Sequence, residues 1–207
     1  VVGRPDDAVA WCDLGVARLG RNDALGAEQA LARAIELAPG LAEAAANLAA
    51  ALLRQERHED AAAAARRAVE LAPEAATGYL NLGRALHGLR RLEEARTAAE
   101  RATMLAPEVA DGHLNLGGIE RDLKRSSAAV ASLERAQKLA PDDAEVGLNL
   151  GLAYRDAGRL DEAIAAFEAA LASAPKHAEV LANLATALRD AMRPEESLAA
   201  CQAAIAL

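Results

Sequence analysis

Six of the seven prolines, Pro5, Pro39, Pro73, Pro107, Pro141 and Pro175, stand 34 residues apart. A fixed period of this size marks a repeat architecture, in which no unit can bury its apolar face alone and each covers its neighbour. Framed on the prolines, the repeats run 8–41, 42–75, 76–109, 110–143, 144–177 and 178–207, the last one short. Residues 1–7 read as the remnant of an upstream repeat or linker. Pro5 occupies a proline slot there, and Asp6-Asp7 echoes Asp142-Asp143 after Pro141. The last frame stops at Leu207, short of its own proline slot, and no polar capping helix follows. Both ends read as cuts, and the expectation is a single repeat array taken from a longer protein.

Each frame reads as two helices. Hydrophobic residues make up 53 % of the chain but aromatics only 2 %. Ala and Leu, strong helix formers, carry the apolar content, and residues that favour strands are scarce. In the second frame a first helix over 42–54 leads to the polar elbow Gln55-Glu56-Arg57-His58, and a second helix over 59–71 ends before Pro73. Proline closes each unit because it cannot continue a helix and drives its predecessor towards extended backbone. Pro194 falls instead in the first turn of a helix, where its missing N–H is no loss. Acidic pairs at the starts of second helices, such as Glu59-Asp60 and Asp161-Glu162, complement the helix dipole and account for much of the acid excess.

Small residues recur in columns: Gly15, Ala49, Gly83, Gly117, Gly151 and Ala185 in the first helix, with Ala27, Ala61, Ala95, Ala129, Ala163 and Ser197 in the second. Such columns let helices approach closely, and Leu14, Leu48, Leu82, Leu116, Leu150 and Leu184 fill the core beside them. Trp11-x2-Leu14-Gly15 with Ala27-x3-Leu31 and Pro39, and Leu150-Gly151-x2-Tyr154 with Ala163-x3-Phe167 and Pro175, resemble the tetratricopeptide signature over residues 8–207. The resemblance implies an all-α, right-handed α-solenoid of stacked two-helix repeats. Arg18 and Glu120 depart from the family's Tyr, and Ala65 and Ala99 from its Phe, so repeats two and three are expected to have thin cores.

The resemblance also implies that first helices line a concave groove that binds a protein or peptide. One slot there holds Asp13 and then Asn47, Asn81, Asn115, Asn149 and Asn183, although Asn is a mediocre helix former. A carboxamide can donate to and accept from a peptide backbone whatever its sequence. The column is similar to the asparagine ladder in the tetratricopeptide superhelix of O-linked N-acetylglucosamine transferase. The other reading makes these side chains struts to the adjacent repeat. Arg121-Asp122, Arg155-Asp156 and Arg189-Asp190 form a second ladder, either reading partner side chains or pairing among themselves, and Arg84 joins the groove-lining set. The carboxylate clamp of some family members requires basic residues one turn before the asparagines. Val9, Glu43, Thr77, Asp111, Glu145 and Glu179 stand there instead, so an acidic peptide terminus would be repelled.

A net charge of -8 and a pI near 5.1 argue against nucleic acid and anionic membrane surfaces. No apolar run approaches the roughly 20 residues of a membrane span. The N-terminus lacks a leader pattern, which favours the cytoplasm, and the Ala, Arg and Gly usage suits a GC-rich bacterial genome. The four histidines are scattered without an i, i+4 pair, and Gly117-Gly118 lies inside a helix, so neither a metal site nor a phosphate loop is expected. Cys12 is expected to face the groove as a bystander thiol, and Cys12 and Cys201 lie in the first and last repeats, outside disulfide reach. No catalytic residue and no cofactor is expected. The function read from the sequence is a scaffold holding an extended partner segment. The alternatives are the recognition arm of a larger glycosyltransferase or sulfotransferase, and a unit that self-assembles through uncapped ends.

Overall fold

The structure, a computed structural model, describes residues 6–207. Pro5 and most of the N-terminal remnant lie outside them. Among the described residues the chain is all helical: α1 (Ala8–Gly20), α2 (Ala24–Leu37), α3 (Ala42–Leu53), α4 (His58–Leu71), α5 (Ala76–Gly88), α6 (Leu92–Leu105), α7 (Ala110–Asp122), α8 (Ser126–Leu139), α9 (Ala144–Asp156), α10 (Leu160–Ser173), α11 (Ala178–Asp190) and α12 (Pro194–Ile205). First helices begin at the alanines that open each frame. The elbow of the second repeat lies one residue earlier than the sequence suggests, because α3 ends at Leu53 and His58 already belongs to α4.

Every elbow has the same hydrogen bonds. In the second repeat the Glu56 N–H donates to Leu53 O and the Arg57 N–H to Leu52 O, the paired closure of a Schellman turn. The residue between must adopt positive φ. Asn22, Glu56, Arg90, Lys124, Gly158 and Met192 do so, at φ from 58° to 73°, and they stand one period apart. Only Gly158 does this without steric penalty. The next residue is the N-cap of the second helix, and in four elbows it is an arginine bound to the glutamate or aspartate three residues on. These pairs are Arg57–Asp60 at 2.6 Å, Arg91–Glu94 at 2.7 Å, Arg159–Glu162 at 3.0 Å and Arg193–Glu196 at 2.6 Å. The acidic residues that the dipole argument assigned to these turns thus also neutralise an arginine. That bond holds the carboxyls of Glu94, Glu162 and Glu196 below the usual glutamate range.

The chain divides into two compact units, Val1–Pro107 and Glu108–Leu207. In the first, α1 packs on α3 and α3 on α5, while α2, α4 and α6 touch first helices but not one another. In the second, α7 packs on α9 and α9 on α11, and again the second helices stay apart. Where first helices meet and second helices do not, the first-helix side is the inner side of the unit's curve.

Side-chain volume within a repeat is set by a facing pair of slots. A Cβ added to Gly15 would lie 2.5 Å from Leu31 Cγ, one added to Gly117 2.4 Å from Leu133 Cγ, and one added to Gly151 2.4 Å from Phe167 Cε1. Each large side chain therefore fills the space its glycine leaves. In the second repeat the same slots hold Ala49 and Ala65, both fully buried. In the three glycine repeats above, the small slot is one half of a complementary pair.

Candidate peptide-binding surface

The inner side of each unit is built from the slots of its first helices. The slot one turn before the asparagines is solvent-facing throughout: Val9, Glu43, Thr77, Asp111, Glu145 and Glu179 are all exposed. One turn further in, the asparagines do three different things. Asn47 Nδ2 lies 3.9 Å from Cys12 Sγ in the preceding repeat, and Asn81 Nδ2 donates to Ala46 O at 2.8 Å. Asn149 and Asn183 instead turn their Nδ2 groups back to Glu145 O and Glu179 O of their own helices, both at 2.9 Å. Asn115 Nδ2 is buried without a hydrogen bond.

The asparagine column is therefore not one ladder. Asn81 is only 4 % exposed, and its amide is spent on the neighbouring helix, so it is a strut and not a free peptide-reading group. The bond spans α3 and α5, which pack on each other in this unit. Asn149 and Asn183 remain half-buried on the inner side. Asn149 Oδ1 accepts nothing among the described residues, whereas Asn183 Oδ1 accepts from Arg155 Nη1 at 3.2 Å.

The Arg-Asp ladder of the second unit pairs largely with itself. Arg121 Nε donates to Asp156 Oδ2 at 3.1 Å across α7 and α9, and Arg155 reaches Asn183 across α9 and α11. Arg189 pairs with its neighbour Asp190 at 3.1 Å and stays 69 % exposed, which leaves it the most accessible of the three arginines. Asp122 and Arg84 are half-buried in α7 and α5, and both are engaged. Partly exposed ion pairs of this kind are worth little to stability, and they fix side-chain positions along the inner side.

Cys12 does not face solvent. It is 2 % exposed within the core shared by α1, α2 and α3, and burial pushes its thiol above the ordinary range against the opposing bond from Asn47. A neutral, enclosed thiol is a packing residue. Glu120 in the tyrosine slot is also buried and accepts a 2.8 Å bond from Ser132 Oγ, so polar pairing replaces the aromatic contact. Tyr154 keeps the family residue: its hydroxyl donates to Glu134 at 2.8 Å, and Arg159 lies 4.5 Å over its ring. Burial and the Glu134 carboxylate push that phenol up to about 12. Among the described residues no three His, Cys, Asp or Glu side chains gather in metal-ligand geometry, and no helix is long and apolar enough to cross a membrane.

Solved structures with the same helix-pair arrangement are numerous. TTC0263, a thermophilic tetratricopeptide protein of Thermus thermophilus, is 29 % identical with a TM-score of 0.75, over 88 % of this chain and all of that one. YrrB, described as a tetratricopeptide protein with an unusual peptide-binding site, is 29 % identical with a TM-score of 0.68, over 86 % of this chain and 92 % of its own. Pseudomonas aeruginosa pilF shares the fold at 22 % identity and a TM-score of 0.80, over 96 % and 90 % of the two chains. No curated protein matches the sequence. The tetratricopeptide repeat model matches residues 12–76, 46–104, 80–144 and 148–207, nearly the whole chain, and the protein belongs to the tetratricopeptide repeat family.

Proposed function

We propose that this protein is an interaction scaffold that holds an extended segment of a partner protein along the inner side of its first helices. The carrying observation is the inner-side pattern. Exposed polar side chains recur there once per repeat, and Asn47 and Asn149 each keep an amide oxygen that accepts nothing among the described residues. An extended strand rises about 3.3 Å per residue and helices pack about 8–10 Å apart, so one backbone N–H per three residues can meet each repeat. The likeness to YrrB, itself described as peptide-binding, supports the reading.

The test is capture of partners from the source organism by the wild-type chain and by Asn149→Ala with Asn183→Ala. Both asparagines bond only within the second unit, so the variant is expected to keep its melting temperature and lose its captured proteins. Unchanged capture by a folded variant would move the site to the outer side.

A second reading, self-association, rests on α12. Leu198 is 60 % exposed, whereas its counterpart one repeat earlier, Ile164, is 3 % exposed, and Ile205 is 85 % exposed. A second copy of the chain laid on this face would bury them. Light scattering in high salt decides it: mass rising with concentration, and abolished by Leu198→Lys, supports the pairing, and a constant monomer mass removes it.

A further inference from the structure

The first unit contains a cleft of about 400 Å³ between α3 and α5, within the range of roughly 300–1,000 Å³ typical of ligand pockets. Its walls are small: Ala46 from α3, Ala68 and Ala72 at the end of α4, and Gly78 from α5. The repeat supplies its own control. Three periods later, the slots of Ala46 and Gly78 hold Leu148 and Val180, which are 6 % and 0 % exposed and pack in one core cluster. Ala46 and Ala68 are buried as deeply, at 6 % and 2 % exposed, but as single methyl groups, so a cleft is left in the first unit where the second carries larger side chains.

The rim of the well is polar, and no basic residue lines it: Glu43, Asn47 and Thr77. Glu43 and Thr77 are exposed, and neither has an ion pair or hydrogen bond among the described residues. Asn47 uses only its Nδ2, leaving Oδ1 as an acceptor. A carboxylate, an amide oxygen and a hydroxyl thus stand over a floor of methyl groups.

We infer that this cleft receives a lysine or arginine side chain projected by the bound segment, an inference that rests on the peptide-holding role proposed above. An acidic side chain would meet Glu43. An aliphatic one would fit the floor but strip water from the carboxylate without replacing it, which costs free energy. A long cationic side chain satisfies both surfaces, its stem lying on the alanines and its head on the oxygens. The well then sets register, admitting the partner only where a cation falls at this repeat.

The test selects phage-displayed random 15-residue peptides on the full chain and measures their affinities for the chain and its variants. Selected peptides are expected to share a Lys or Arg at one position. Replacing that residue by norleucine, or making Glu43→Gln, is expected to weaken binding about tenfold, as loss of a charged hydrogen bond does. Ala46→Leu fills the well with the side chain found at Leu148 and is expected to weaken binding as much, with melting temperature reporting that it folds. If it does not fold, Glu43→Gln and the norleucine peptide decide alone. Peptides without a shared cation, or indifferent to Glu43→Gln, overturn the inference while leaving the scaffold reading intact, provided Asn149→Ala with Asn183→Ala still weakens them. Peptides indifferent to all inner-side changes, or no enrichment at all, overturn both.

Discussion

The two units are built on one frame and filled differently. In the first, α2 buries Leu31, but the second helices of repeats two and three present alanines to the core: Ala62 and Ala65 in α4, and Ala99 in α6. In the second, the matching slots carry Val130 and Leu133 in α8 and Ile164 and Phe167 in α10. Burial is equally complete, since Ala65, Ala99, Leu133 and Phe167 are all fully enclosed. In the alanine repeats leucines of the first helices, Leu52 and Leu86 among them, supply the buried bulk. The hydrophobic area taken from water is smaller there at about 25 cal/mol per Å², so the same architecture is held by less. Because each repeat contacts only its neighbours, such differences stay local.

The largest expected effect comes from emptying the best-filled repeat. Phe167→Ala is expected to cost about 3–5 kcal/mol, because the ring fills the hollow over Gly151 and nothing adjacent can replace it. Chemical denaturation measures the loss. Native-state amide exchange gives the companion contrast: α4 and α6 are expected to exchange faster than α10. Equal protection across the three helices would show that the first-helix leucines compensate in full for the missing second-helix volume.

Next in size is the converse change. Ala65→Leu places a large side chain in the slot that faces Ala49 and is expected to destabilise by about 1–3 kcal/mol through overpacking. Ala99→Leu is the matched comparison, because its facing slot holds Gly83, the glycine–leucine combination of Gly15 with Leu31. That variant is expected to be neutral or stabilising. If both variants lose the same stability, the facing-slot rule fails in the first unit.

The contrast between these units was only partly legible in the sequence. The proline period set the first-helix starts, because proline cannot continue a helix past its first turn. The thin cores of repeats two and three were readable from Ala65 and Ala99. The pairing of glycine with a large residue is spread over two columns, and neither column shows it without its partner across the helix pair. The asparagines were the least legible. All five share a slot, yet whether an amide reaches the next helix depends on how closely that helix approaches. Asn81 reaches Ala46 O of the preceding first helix, while Asn149 and Asn183 fold back on their own turns.

That division gives a smaller and sharper test. Asn81→Ala removes a buried strut and is expected to cost about 1–2 kcal/mol, most of it from the lost bond to Ala46 O. Asn149→Ala removes a bond within one helix and gains helix propensity, so its stability is expected to stay within about 0.5 kcal/mol of the parent. Thermal melts of the two variants side by side measure this. Equal losses would mean that the half-buried amide is as structural as the buried one, and the inner side of the second unit would lose its best peptide-reading group.

The smallest expected effect concerns the elbows, where the units also differ. The first unit has no glycine at its left-handed position, only Asn22, Glu56 and Arg90, whereas the second has Gly158 beside Lys124 and Met192. A left-handed backbone costs a residue with a Cβ roughly 1–2 kcal/mol, and glycine's greater freedom in the unfolded chain returns part of that difference. Arg90→Gly and Met192→Gly are therefore each expected to stabilise by about 0.5–1 kcal/mol. Asn22→Gly is expected to gain less, because asparagine tolerates this conformation. Met192 is 86 % exposed, so its replacement removes little packing and isolates the backbone term. Denaturant midpoints of the three variants rank the gains. If Arg90→Gly stabilises less than Asn22→Gly, the side chain at position 90 contributes contacts that outweigh its backbone strain, and the elbows of the first unit are held by more than the Schellman turn alone.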